Sequence, residues 1–289
     1  MFVVAGVSGK SGSVVAEKLL SSGKGVRVLV RDAEKGKPWA AKGAEVAIVP
    51  TFDDAAALTA ALRGAEGAYL ISPPDTQAKD FRAERRVTFD AMARAIDDSG
   101  IAHVVLLSSI GAQSESGTGP IITLHDGEAR LAKTKAKLTF LRAAYFLENF
   151  GAVAAAAKAG KLPSFLPADF RFPVVTTNDI GQLAAKVLLE GPPAAKTDVV
   201  ELAGPRDLTT TEIAAIFAKK VGHDVAVEEH PTEAVVPVFT SFGISAHIAG
   251  LYREMYDGML SGKVAWDGSG TTRLVRGDTD PAAVIDRWV

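Results

Sequence analysis

Gly6-Val7-Ser8-Gly9-Lys10-Ser11-Gly12 decides the reading of this chain. It follows a bare apolar run, Met1-Phe2-Val3-Val4-Ala5, and opens a helical one, Ser13-Val14-Val15-Ala16-Glu17-Lys18-Leu19-Leu20. Strand, glycine turn and helix in that order bring main-chain N–H groups and the positive end of a helix dipole to the place where a pyrophosphate can sit. A Cβ in the turn would obstruct its tight path and keep the phosphates away. The spacing is Gly-x-x-Gly-x-x-Gly, a variant of the more familiar Gly-x-Gly-x-x-Gly. Taken alone the stretch also reads as a plain tight turn between strand and helix, so the rest of the chain supplies the context.

That context is alternation. Short β-rich runs bounded by Gly, Pro, Ser or Asp predict strands at 26–30, 45–49, 67–71, 104–107 and 138–142. Their near-continuous apolar character implies burial on both faces, as in a parallel sheet. Helical patterns separate them, at 55–62 and around Phe89, Met92, Ala93 and Ile96, which recur at i, i+3, i+4 and i+7. The Ala-rich stretch 152–159 reads as a packed helix. After Phe150 the rhythm loosens, with strands expected at 174–176 and 199–202. Helices are expected at 178–189, at 209–221 behind a Thr209-Thr210-Thr211-Glu212 cap, at 247–260, and after Pro281. Repeated strand–helix–strand units predict an α/β fold, a Rossmann-type doubly wound parallel sheet with a smaller C-terminal substrate lobe. Residues 1–155 form the Rossmann core, and 156–289 supply return strands and the lobe of one subunit spanning 1–289.

Composition removes several classes of function. The 289 residues carry a net charge of −2, which offers no general field for nucleic acid or an acidic membrane. With no cysteine there is no disulfide, no thiolate metal site and no cysteine nucleophile. The apolar N-terminal run is broken by Gly6 and lacks a basic leader, and no apolar run approaches the ~20 residues of a membrane helix. The expected location is therefore cytoplasmic. His103, His223, His230 and His247 are scattered, so no metal site is expected.

The end of the second strand faces the adenosine ribose in such sheets. Here Val30 is followed by Arg31 and Asp32. A guanidinium fork matches a phosphate, so Arg31 predicts NADP(H) in preference to NAD(H), with Lys10 and Lys35 in support. The alternative is a solvated Arg31 with Asp32 on the ribose hydroxyl. Asp53 and Asp54 follow the third strand, where a carboxylate accepts from an adenine amino group or, equally, caps the next helix. Ser72-Pro73-Pro74 ends the fourth strand and turns the chain past the pyrophosphate. Ser108-Ser109-Ile110-Gly111-Ala112 ends the fifth, placing hydroxyls toward the nicotinamide side or merely capping a loop. The expected cofactor contacts are Gly6, Ser8, Gly9, Lys10, Ser11, Gly12, Arg31, Asp53, Ser72, Pro73 and Ser108.

Taken together, these pieces resemble the NmrA-like group of atypical short-chain dehydrogenases, within it the NAD(P)H:quinone oxidoreductase type. The matching motifs are Gly6 to Gly12, Val28-Leu29-Val30-Arg31-Asp32, Phe52-Asp53-Asp54 and Ser108-Ser109-Ile110-Gly111-Ala112. To these are added Leu141-Arg142-Ala143-Ala144-Tyr145-Phe146-Leu147-Glu148-Asn149-Phe150, Asn178-Asp179-Ile180-Gly181 and Glu201-Leu202-Ala203-Gly204-Pro205. The resemblance implies that Phe146 and Asn149 flank the cofactor site. It also implies that His125, ahead of Glu128-Ala129-Arg130-Leu131, lies on the helix before the sixth strand and acts with Ser108 as a catalytic candidate. Typical short-chain dehydrogenases use Tyr-x-x-x-Lys, but none of Tyr69, Tyr145, Tyr252 and Tyr256 has lysine four residues on. A quinone tolerates that loss, because its negative charge spreads over the ring and water can protonate the product. The expected function is NADPH-dependent hydride transfer to a quinone or similar small acceptor without a Tyr–Lys dyad. Tyr252, Met255 and Tyr256 either line the acceptor pocket or form a packing face. A non-enzymatic NAD(P)-sensing regulator that binds a protein partner is the alternative, and a homodimer stays open.

Overall fold

The structure, a computed structural model, describes residues 1–73 and 75–289. The N-terminal half alternates strand and helix: β1 (Phe2–Val4), α1 (Lys10–Ser21), β2 (Val26–Val30), α2 (Ala33–Ala41), β3 (Glu45–Ile48), α3 (Ala55–Leu62), β4 (Gly67–Leu70), α4 (Phe81–Ser99), β5 (His103–Ser109), α5 (Ile122–Leu131) and β6 (Lys137–Ala143). The remainder comprises β7 (Tyr145–Phe146), α6 (Ala154–Lys158), β8 (Lys161–Ser164), β9 (Val174–Val175), α7 (Thr177–Glu190), β10 (Thr197–Ala203), α8 (Thr210–Val221), β11 (Ala226–Glu229), α9 (Val235–Ser241), α10 (Ala246–Leu260), β12 (Arg273–Arg276) and α11 (Pro281–Ile285).

Eight strands form one sheet in the order β12-β10-β6-β5-β4-β1-β2-β3, and every neighbouring pair is parallel. From β1 the chain winds outward through β2 and β3. It then returns to the other side of β1 and winds outward again through β4, β5 and β6. The order reverses between β1 and β4, where Phe2 pairs with Val26 on one side and Gly67 on the other. A crevice at the carboxyl ends of the strands follows from such a reversal.

Both faces of the sheet are covered, which is why its strands read as unbroken apolar runs. Successive residues point to opposite faces. Val4, Val28 and Tyr69 pack with Val15, Leu19, Ile180 and Leu188 under α1 and α7. Val3, Leu70 and Leu106 pack with Leu58, Leu62, Phe89, Met92 and Ile96 under α3 and α4. Each such fully buried side chain stabilises the fold by about 1.5–3 kcal/mol. The edge strand β3 departs from the two-sided pattern, with Ile48 52% exposed. A third core, around Leu162, Phe172, Phe217, Val284 and Ile285, builds the C-terminal lobe. β10 and β12 return from that part of the chain to extend the main sheet.

Caps set several boundaries. Asp54 accepts from Ala57 N at the start of α3, and Thr209 and Glu212 form a reciprocal box at the start of α8. Elements without an expectation in the sequence are α2, α9, β7, β8, β11 and β12. Pro38 interrupts the pattern of α2 and Pro237 that of α9. Pro163 sits in β8, tolerated because β8 pairs only with β11. Among the described residues no helix is long and apolar enough to cross a membrane.

Candidate functional site

The glycine turn lies at the reversal point. Gly6 has φ +70°, a left-handed conformation, and its carbonyl accepts from Gly9 N at 2.8 Å. Gly9 is the N-cap of α1 but has no side chain to give, and no acidic residue stands in the first turn. The leading N–H groups of α1 are therefore left for a ligand, and the helix dipole is left unneutralised. Ser8, Gly9 and Lys10 are exposed around this opening. Gly12 is buried, and a Cβ there would come within 2.5 Å of the Ala5 and Gly6 carbonyl oxygens. Ser11 turns beneath the turn, with Oγ 3.0 Å from the hydroxyl of the buried Tyr69, whose pKa burial pushes far up. The geometry is that of an anion cradle whose floor is main chain.

At the end of β2, Arg31 is exposed. Its neighbour Asp32 is committed to structure, accepting from Lys35 N at 3.0 Å as the cap of α2. That bond, with the Lys35 charge, holds the Asp32 carboxyl below its usual range. Asp53 accepts from Thr88 Oγ1 at 2.6 Å, while capping of α3 falls to Asp54. Ser72 and Pro73 follow β4 half-buried, and the Pro73 carbonyl accepts from the buried Arg85 at 2.9 Å. Pro74, expected in the same turn, lies outside the described residues.

The two catalytic candidates are both tied to the protein. Ser108 is buried at the end of β5 and donates to Glu128 Oε1 at 2.6 Å, turned toward α5. Glu128 in turn receives Arg142 Nε at 3.0 Å and Nη2 at 2.7 Å. His125 lies on α5 with Nδ1 2.9 Å from the Ala112 carbonyl oxygen. A carbonyl only accepts, so Nδ1 carries a proton. The outer nitrogen, Nε2, then donates only when the ring is cationic. The neighbouring Ser109 also bonds its own loop, at the Ile110 carbonyl.

A cavity of about 350 Å³ opens at the ends of β5 and β6. Its walls include Ile110, Tyr145, Phe172, Met255, Met259 and Trp266, with Ser109 among the few polar members and Arg171 and Asp207 at one side. β6 lies three strand spacings from β1, about 14 Å. Met255 is thus a wall of the cavity, and Tyr256 is buried with its hydroxyl 3.3 Å from that of Tyr145. Tyr252 packs on Phe239 with ring centres 5.1 Å apart and the planes tilted by 55°. Phe146 packs half-buried against the α1–α7 core, and Asn149 is exposed. His125 and Ser108 are not walls of the cavity.

Sequence reasoning did not single out Arg142, Asp267 or Tyr145 as site residues. Arg142 Nη1 reaches Asp267 Oδ2 at 3.0 Å, which draws the segment before β12 across the strand ends. An arginine closing an otherwise apolar strand was the signal available, since a buried charge demands a partner.

Comparison with known proteins gives the same architecture a lineage. The model of the NmrA-like family matches residues 1–266. Quinone oxidoreductase 2 of Escherichia coli K12 is 26% identical over 277 residues, covering 95% of this chain and 93% of that protein. An NAD(P)H azoreductase of Xenophilus azovorans is 24% identical over 257 residues, covering 89% of this chain and 86% of its own. The crystal structure of the E. coli NADPH-dependent quinone oxidoreductase complexed with NADPH superposes with a TM-score of 0.82 at 26% identity, covering 99% of each chain.

Proposed function

The chain belongs to the NmrA-like family, and from that membership we propose that it is an NADPH-dependent oxidoreductase that passes a hydride to a quinone or a similar flat, conjugated acceptor. The cofactor, when bound, supplies the hydride. The protein binds, orients and excludes water. The turn from Gly6 to Gly12 and the uncapped start of α1 hold the diphosphate, with Ser8, Lys10 and Ser11 around it. Arg31 takes the 2′-phosphate; in support, Asp32 is engaged as the cap of α2 and Arg31 is exposed at the end of β2. Asp53 serves the adenine side. Ser72, Pro73 and Phe146 line the path between the two ends. Ser108 and His125 act from behind the reacting groups, through Glu128 and the Ala112 carbonyl respectively.

The observation that carries this reading is the aromatic and thioether-lined cavity at the ends of β5 and β6. Flat apolar walls suit a planar acceptor. A quinone also needs no strong acid at the site, in keeping with four tyrosines none of which is followed by lysine at the fourth position. The names of the E. coli and Xenophilus relatives, a quinone oxidoreductase and an azoreductase, support a conjugated two-electron acceptor.

Steady-state oxidation of NADPH in the presence of a panel of benzo- and naphthoquinones tests the proposal. Turnover well above the uncatalysed rate with at least one quinone is expected. Rates equal to those without protein across the panel reject it.

A further inference from the structure

Tyr145 stands at an informative place. It follows β6 after a single residue, and its main-chain N–H donates to the Pro173 carbonyl at 3.2 Å. Its ring is a wall of the cavity and is gripped edge-on by Phe150 and Phe172, with centroids 6.0 and 5.6 Å away. The ring therefore has little freedom to leave. Its hydroxyl is 3.3 Å from the hydroxyl of Tyr256 on α10, which itself packs on Phe165 at 5.4 Å.

Two hydroxyls joined by one hydrogen bond own two protons and use one. The second proton belongs to whichever hydroxyl accepts. Tyr256 is not a wall of the cavity, whereas Tyr145 is. In the orientation of this pair in which Tyr256 donates, the Tyr145 oxygen accepts and its own O–H is left for the cavity that Tyr145 lines. Burial pushes both phenols above their ordinary pKa, so both keep their protons.

We propose that Tyr145, held and oriented by Tyr256, is the hydrogen-bond donor that meets the acceptor's oxygen in the cavity. The proposal rests on the oxidoreductase reading above and assigns its acceptor-side contact. As hydride arrives, negative charge gathers on that oxygen, and a fixed O–H in apolar surroundings stabilises it more than it stabilises the neutral acceptor. Tyr145 keeps its proton throughout, so the proton that completes the hydroquinone comes from water. The net reaction is NADPH, quinone and one proton giving NADP⁺ and hydroquinone.

The test compares Tyr145→Phe and Tyr256→Phe with the wild-type protein, using NADPH and a benzoquinone. Tyr145→Phe is expected to lower kcat roughly a hundredfold to a thousandfold, as loss of a charge-stabilising donor does, with NADPH affinity unchanged. Tyr256→Phe keeps the donor but loosens it, and is expected to lower kcat by a smaller factor. Near-wild-type melting temperatures separate these effects from misfolding. If Tyr145→Phe fails to fold, Tyr256→Phe decides, and an unchanged kcat in it overturns the proposal. Should the wild type turn over while Tyr145→Phe keeps at least half its kcat, the donor role fails alone and the oxidoreductase reading survives. Should the wild type not turn over, that reading fails. Calorimetric titration with the benzoquinone then reads the contact, and equal dissociation constants for wild type and Tyr145→Phe reject it.

Discussion

Arg142 on β6 and Glu128 on α5 form a two-bond ion pair in which each side chain is only 8% exposed. The arginine is hemmed in further. Ser108 stands beside it in register on β5 and Glu201 on β10. Its remaining nitrogen binds Asp267, whose own N–H donates to Glu201 at 2.8 Å. One buried cation thus joins two strands, the helix of His125 and the segment that carries Trp266 into the cavity wall. Desolvation works against its charge, and the carboxylates of Glu128 and Asp267 outweigh that cost, so the Arg142 pKa stays raised.

A buried pair adds little net stability over apolar residues of the same shape, but half of one is expensive. Glu128→Ala is therefore expected to destabilise the protein by about 3–5 kcal/mol, measured by urea unfolding. Replacing both residues, as in Glu128→Leu with Arg142→Leu, should cost clearly less than the two single changes added together. A loss in Glu128→Ala below about 1 kcal/mol would mean that water already satisfies the pair.

In the proposed function Arg31 carries the choice of cofactor. A charge-assisted contact to phosphate contributes about 1.5–3 kcal/mol, so Arg31→Ala should weaken NADPH binding by an order of magnitude or more. NADH, which lacks the 2′-phosphate, should bind almost as before. Calorimetric titration of both coenzymes checks this, and equal weakening of the two would reject the assignment.

What the chain revealed in advance followed from local physics. The glycine turn, the strand at 26–30 and the helix at 55–62 need only their own residues to be recognised, and the structure places β2 and α3 at those limits. The capping role of Thr209 and Glu212 was equally local. The Ser108 reading was only half local. A serine at a strand end was visible, but its partner comes from a helix twenty residues away. Asp267 meets Arg142 across 125 residues, and Tyr256 meets Tyr145 across 111. No periodicity encodes such pairings, because they arise only when the lobe folds over the strand ends. Elements with misleading composition were hidden for another reason. α2 holds Gly36 and Pro38, yet forms because Asp32 caps it and Trp39 is buried beneath it.

Gly12 tests the cradle from within. Alanine is the better helix former by about 0.5–1 kcal/mol, so propensity alone favours Gly12→Ala. Against that, the new Cβ would sit 2.5 Å from two main-chain carbonyl oxygens that cannot rotate away. Overpacking of this kind costs about 1–3 kcal/mol, and it acts on the end of β1 and on the turn proposed to grip the diphosphate. The variant is expected to melt at a lower temperature and to bind NADPH and NADH with equal loss of affinity. Unchanged binding of both would show that the start of α1 is not the phosphate site.

His103 gives the fold a dependence on pH. It lies on β5 at 1% exposure, with Nε2 3.1 Å from Thr139 Oγ1. Burial pushes its pKa down from 6.5 to about 4, an effect that the Asp198 charge offsets only in part. The folded chain therefore keeps the ring neutral where the unfolded chain protonates it. Between those two values the unfolded state binds more protons, so stability falls as pH falls and is flat for this group above the window. The drop amounts to at most about 3 kcal/mol at its acid end. His103→Gln keeps a polar partner for Thr139 but cannot titrate. Urea unfolding of both proteins at steps between neutral pH and pH 4 should show a steeper decline for the wild type. The carboxylates that also titrate there are common to both, so identical declines would remove His103 as the cause.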